Sequence, residues 1–175
     1  MRDYRAAIGL IVSAWSLLEL EIESTTWWLA GLHPDLGICI TSQLQSARSK
    51  LIAVEGLTLL RTGSQKLAKD VRIFMNDLEG PTRKRNRIVH DPLSFKKGGD
   101  VFFVRIRLDR EVHRKVEKAE LADLRAFFDE IGVLLERFVS MREAILQIAA
   151  VASPQIPPPP PVPIPRRRRR GVQIP

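Results

Sequence analysis

Residues 8–29 read IGLIVSAWSLLELEIESTTWWL, and this stretch decides the fold class. Its large apolar residues recur at steps of three, four and seven, which places them on one face of an α-helix; they are Ile8, Ile11, Trp15, Leu18, Ile22 and Leu29. Glu19 and Glu23 lie off that stripe. Gly31 and Pro34 follow, a pair typical of a helix end. The spacing predicts one long helix over about residues 2–32.

The same helical periodicity recurs along most of the chain. It predicts a second helix from about Leu36 to Arg61, a third helix that follows the N-cap residue Ser64, and a short helix from the N-cap Thr82 to His90. A last helix over about residues 119–149 is as long as the first, and we expect these two to pack antiparallel. The sequence therefore predicts an all-α bundle of four to five helices.

One segment departs from the helical pattern. Over residues 101–108, apolar side chains alternate with side chains that would face the other side of a strand. A Lys-Gly-Gly-Asp turn at 97–100 joins this segment to residues 93–95. Period-two alternation around a glycine turn is typical of a β-hairpin. We expect a hairpin over about residues 93–108, inserted before the last helix.

Charge and proline are concentrated at the C-terminal end. The chain has 175 residues, of which 45% are hydrophobic, so it can bury a core and is not disordered throughout. Its net charge of +8 is concentrated in a proline-rich segment that contains Arg166, Arg167, Arg168, Arg169 and Arg170. We expect a folded part over residues 1–152 and a disordered Pro- and Arg-rich tail over 153–175. The five arginines would bind nucleic-acid phosphates, and the alternative is a solubilising tail.

The same composition argues against several other classes of protein. A single cysteine, Cys39, excludes an intramolecular disulfide framework, and the three histidines lack the spacing of a metal site. The apolar part of the first helix is interrupted by carboxylates and is too short to span a bilayer. We expect no metal, no cofactor, no secretory leader and no membrane partner, and a cytoplasmic location.

Residues 83–92 read RKRNRIVHDP and carry the residues most suited to chemistry. In a helix, side chains spaced by three, four and seven share a face; here they are Arg83, Asn86, Arg87 and His90. Ile88 and Val89 would then face the bundle. The pattern indicates a cationic, hydrogen-bonding edge on an apolar anchor. The alternatives are a solvated surface for the cations and, for His90, a histidine that bonds the last helical carbonyls.

The run Arg85-Asn86-Arg87-Ile88-Val89-His90 resembles the R-x4-6-H motif of the HEPN (higher eukaryotes and prokaryotes nucleotide-binding) superfamily. The helical context and the Trp-x-x-Leu-Glu stretch at residues 15–19 are similar to that family as well. The resemblance implies metal-independent RNA cleavage in a composite site formed by two copies of the domain. Some members carry a modified Tyr two residues after the His, whereas Pro92 stands here.

In such a site, Arg85, Asn86 and His90 would be the catalytic residues. His90 would move a proton between the ribose 2′-hydroxyl and the leaving oxygen, and Arg85 would bind the phosphate. Asn86 would orient the His or the phosphate. Arg83, Lys84 and Arg87 would hold flanking phosphates without reading sequence.

The expected partners are RNA, a second copy of the chain and, for a toxin or phage-defence component, an antitoxin protein. Trp27 and Trp28 are adjacent, so they point to different sides of their helix and one of them would face away from the core. An outward-facing tryptophan suggests a dimer contact. The alternative function is a non-catalytic HEPN-like module that dimerises and binds nucleic acid or a nucleotide.

Overall fold

The computed structural model describes residues 2–96, 100–109 and 111–152, without the side chains of 107–109 and 111–113. Three predicted features lie outside these residues: most of the turn at 97–99, the tail over 153–175, and within it Arg166, Arg167, Arg168, Arg169 and Arg170.

The described part of the chain is a helical bundle with a small antiparallel sheet. The helices are α1 (Arg2–Ala30), α2 (Pro34–Thr41), α3 (Ala47–Thr62), α4 (Gln65–Asp77), α5 (Glu79–His90) and α6 (Leu121–Val151). The strands β1 (Leu93–Phe95), β2 (Val101–Asp109) and β3 (Glu111–Lys118) lie between α5 and α6. The predicted all-α class with a β-insertion before the last helix is confirmed.

The predicted second helix is divided in two by a capping motif. The Ser46 hydroxyl accepts a hydrogen bond from the Ser49 amide, and the Ser49 hydroxyl accepts one from the Ser46 amide. This reciprocal arrangement satisfies amides that a helix N-terminus leaves without partners. The prediction of one continuous helix from Leu36 to Arg61 is therefore wrong, since α2 ends at Thr41 and α3 begins at Ala47.

Helices α4 and α5 follow each other with only Leu78 between them. Leu78 keeps a helical conformation, with φ −74° and ψ −13°. Pro81 is tolerated because it lies in the first turn of α5, where its missing N–H would have no partner. The N-cap expected at Thr82 is wrong, because α5 begins at Glu79 and the Thr82 hydroxyl donates to the Leu78 carbonyl at 2.7 Å.

The three strands form one antiparallel sheet in the order β1–β2–β3. Leu93 lies opposite Phe103, and Ile106 lies opposite Arg114. The predicted hairpin corresponds to β1 and β2 and is confirmed. Strand β3 was not predicted, because residues 111–118 are rich in charge and carry apolar residues only at Val112 and Val116.

The long helices α1 and α6 run in the same direction. Near their N-terminal ends, the Tyr4 hydroxyl donates to the Ala119 carbonyl at 3.1 Å. Farther along both helices, Arg142 forms an ion pair with Glu21. The predicted antiparallel packing is therefore wrong. The chain has already returned along α4 and α5 before α6 starts, so α6 begins beside the start of α1.

The core lies where α1, α3, α4 and α6 meet. Its largest side chains with no more than 1% exposure are Trp15, Phe74, Phe127 and Phe138. The rings of Phe74 and Phe138 lie 5.4 Å apart between centroids, within the range of favourable aromatic pairs. Helix α5 contributes Ile88, which is 7% exposed. None of the helices in the described residues is long and apolar enough to cross a bilayer.

Candidate nucleic-acid interface

Helix α5 presents a polar face to solvent, as the sequence predicts. Its exposed side chains include four whose positions share one side of the helix: Arg83, Asn86, Arg87 and His90. Ile88 is buried and Val89 is half-buried, so both serve as the apolar anchor. The arrangement gives a rigid, hydrogen-bonding edge along the C-terminal half of α5.

Arg85 belongs to a different side of α5 and is held against α1. Its guanidinium carbon lies 5.9 Å from the centroid of the Trp15 ring, a distance typical of a cation–π contact. Its NH1 atom donates to Asn86 Oδ1 at 3.0 Å. Its Nε atom is buried without a hydrogen-bond partner among the described residues. The structure therefore brings Arg85 and Asn86 together and fixes the outer edge of the guanidinium beside the exposed face.

His90 is the last residue of α5 and remains open to solvent. Within residues 2–96, 100–109 and 111–152, its side chain makes no hydrogen bond or ion pair, so it does not bond the last helical carbonyls and is not linked to Asn86. It lies on the rim of a shallow groove that Arg5, Ile8 and Leu93 also line. An exposed imidazole without a carboxylate partner keeps both ring nitrogens accessible to a ligand.

The three cations expected to hold phosphates differ in how they are engaged. Lys84 contacts Glu130 at 3.3 Å and lies 4.4 Å above the Phe127 ring, so it is tied to α6. Arg83 makes only a long contact with Glu79, at 3.9 Å, and its side chain is 70% exposed. Arg87 makes no ion pair in the part of the chain that the structure describes. Arg83 and Arg87 are thus the cations of α5 most available to phosphate.

The sequence reasoning missed a residue and an ion pair that lie beside this face. Arg5 shares the groove with His90, although 85 positions separate them and no local pattern relates them. Asp91, the residue after His90, accepts a hydrogen bond from Arg105 Nε at 3.2 Å. That bond joins the end of α5 to β2 and fixes the backbone next to His90.

Beyond this ion pair lies Glu117 of β3. Its pKa is held below the usual value, first by a hydrogen bond from Lys115, 2.5 Å away, and further by the charges of Arg105 and Arg87. The sequence carries no strand pattern over β3, so these contacts could not be predicted from it.

A second polar element that the sequence reasoning missed lies inside the bundle. Lys50 is only 7% exposed, and its Nζ lies 2.5 Å from Glu23 and 3.8 Å from Glu19. Glu19 also accepts a hydrogen bond from Trp15 Nε1 at 3.0 Å. We call Lys50, Glu19 and Glu23 the buried ion cluster. It reaches the candidate interface through Trp15, which contacts Arg85.

The described residues contain no group of three or more His, Cys, Asp or Glu side chains placed to hold a metal ion. Trp27 is buried, whereas Trp28 is 47% exposed, so one of the two does face outward. The chain matches no protein-family model, no curated protein and no solved structure.

Proposed function

We propose that this protein is a metal-independent endoribonuclease of HEPN type, with a composite active site across a homodimer. The observation that supports it most is the C-terminal half of α5, where His90 is exposed with no side-chain partner among the described residues and the half-buried Arg85 is bonded to Asn86. We further propose that it acts as a toxin or phage-defence component and is restrained by an antitoxin protein.

The chemistry follows from the residue types. RNA can be cleaved by its own 2′-hydroxyl, which attacks the adjacent phosphorus while the 5′-oxygen of the next nucleotide leaves. The His90 imidazole removes the proton of the 2′-hydroxyl, and the imidazolium that results donates a proton to the leaving oxygen. Arg85 supplies a fixed positive charge and forked donors to the phosphorane oxygens. The products are a 2′,3′-cyclic phosphate and a free 5′-hydroxyl.

Helical geometry favours two copies for this reaction. Arg85 and His90 are five residues apart, which at 3.6 residues per turn separates them by about 140° around α5. A single helix therefore does not aim both groups at one phosphorus atom. Two copies related by a two-fold axis would bring the Arg85 of one to the His90 of the other.

The test is incubation of the purified protein with labelled RNA in EDTA. We expect cleavage with 2′,3′-cyclic ends, lost in His90→Ala and Arg85→Ala. His33→Ala is the matched control, because His33 is also an exposed histidine and lies at the N-cap of α2. RNA binding without cleavage, unchanged in His90→Ala, would overturn the enzyme and favour the non-catalytic binding module.

A mixing experiment tests the composite site. Inactive Arg85→Ala and His90→Ala proteins are combined, partly unfolded and refolded together, and assayed. We expect activity in the mixture, because a mixed dimer holds one intact Arg85 and one intact His90. A strictly monomeric protein, or a mixture as inactive as its parts, would refute the shared site.

A further inference from the structure

A second depression, of about 190 Å³, adjoins the His90 groove, and we call it the α5–α6 cavity. It lies between the C-terminal half of α5, the sheet and the first turn of α6. Its apolar lining comes from Ile88, Phe103, Ala119 and Leu124. Ile88 and Asp91 line both this cavity and the His90 groove, so the two are neighbours at the end of α5.

Most charges around the α5–α6 cavity are already paired. Arg105 binds Asp91 at 3.2 Å and lies 3.9 Å from Glu117. Lys118 binds Glu120 at 3.0 Å, and Lys84 binds Glu130 on α6.

Two charged side chains that line the cavity make no ion pair among the described residues: Arg87 on α5 and Asp123 on α6. Both are exposed. The lining of the cavity therefore includes one forked donor and one double acceptor together with an apolar surface.

We propose that the α5–α6 cavity binds a guanine base. Guanine offers two adjacent acceptors, O6 and N7, that match the forked donors of Arg87. Its Watson–Crick edge, which adjoins the first edge at O6, carries N1–H and the N2 amino group, two donors that match the Asp123 carboxylate. The planar ring would rest on the apolar lining.

Other bases satisfy only one of these two groups. Adenine places an amino donor beside N7, where Arg87 needs an acceptor. Guanine is therefore the base whose donors and acceptors match both Arg87 and Asp123.

This inference rests on the proposed function for its biological setting and adds a base preference to it. A guanine in the cavity would place an adjacent phosphate at the His90 groove, because the two depressions share Asp91. We expect cleavage next to guanine in single-stranded RNA.

The test is calorimetric titration of His90→Ala protein with guanosine 5′-monophosphate and adenosine 5′-monophosphate, so that binding is measured without catalysis. The two share their phosphate, and a bidentate arginine contact discriminates by at least about fivefold. We expect that preference for the guanine nucleotide, and its loss in Arg87→Gln and in Asp123→Asn. Arg125→Gln and Asp129→Asn are the matched controls, since both residues lie on α6 outside the cavity and should leave binding unchanged.

The outcomes separate the two proposals. Equal affinity for both nucleotides, or no binding of either, overturns the guanine site. RNA cleavage without guanine preference would then leave the endoribonuclease standing. Guanine-selective binding by a protein that cleaves no RNA would support the guanine site and overturn the endoribonuclease.

Discussion

Replacing Lys50 by Met should destabilise the bundle more than an ordinary surface substitution does. Met keeps the unbranched apolar stem of the side chain and removes the ammonium group. In the native protein that group lies 2.5 Å from Glu23 Oε1 and 3.8 Å from Glu19 Oε2. Without it, two carboxylates of α1 face each other inside the bundle with no cation between them.

The exposure of these side chains sets the size of the effect. Removing one partner of a fully buried ion pair costs about 3–5 kcal/mol, because the remaining charge stays desolvated. The side chains of Glu23 and Glu19 keep 18% and 31% exposure, so water reaches part of the carboxylate charge. Thr41 donates to Glu23 only over 3.5 Å and compensates little. We therefore expect a loss of about 2–4 kcal/mol in the free energy of unfolding.

The measurement is urea unfolding near neutral pH, with the m-value checked for each variant. Lys69→Met is the matched control, because Lys69 is an exposed lysine of α4, and it should stay within about 0.5 kcal/mol of the native protein. The double variant Lys50→Met with Glu23→Gln should recover part of the loss, since it removes one of the two unpaired charges. A Lys50→Met protein less than about 1 kcal/mol below the native one would show that the buried ion cluster adds little.

Two further predictions follow from single contacts. A Cβ at Gly37 would lie 2.3 Å from Trp27 Cγ, so Gly37→Ala should destabilise the protein by about 1–3 kcal/mol in the same unfolding assay. A Cβ at Gly56 would meet nothing within 4 Å, so Gly56→Ala should stabilise the protein by up to about 1 kcal/mol. Equal stabilities would contradict the packing of Trp27. Lys115 holds the pKa of Glu117 low, so Glu117 stabilises the fold at neutral pH and loses that contribution as the pH falls through its folded pKa. Lys115→Ala should raise this pKa toward its usual value in a carboxyl NMR titration, and an unchanged value would refute the assignment.

The sequence predicts elements whose apolar stripe is long and regular. Helices α1 and α6 are found within a few residues of their predicted ends. An apolar stripe repeated over many turns can be buried along one face only if the whole segment is helical. The division at Ser46 is different, since two serine hydroxyls cap α3 and neither breaks the apolar period. Strand β3 lacks an apolar stripe and depends on β2 for its hydrogen bonds, so only the folded chain reveals it.

A periodic pattern also does not predict the direction in which a helix runs or which distant residues it contacts. The stripe of α6 says that one face is buried but not which way the helix runs. The exposed face of α5 could be predicted, because positions 83, 86, 87 and 90 are related by helical spacing alone. The contact of Arg85 with Trp15 could not, since it joins residues 70 positions apart. Long-range polar contacts of this kind depend on the tertiary structure and leave no local pattern in the sequence.

The candidate site and the buried ion cluster meet at Trp15, and this limits how each can be tested. Trp15 is 1% exposed and contacts Arg85 on one side and Glu19 on the other. Truncating it would cost about 3–5 kcal/mol and would confuse loss of fold with loss of function. Arg85→Lys is the informative change, because it keeps the positive charge and removes the planar fork that reaches Asn86. Cleavage that falls while the unfolding midpoint stays constant would assign Arg85 to the phosphate, whereas a parallel fall in both would assign it to the packing of α5 on α1.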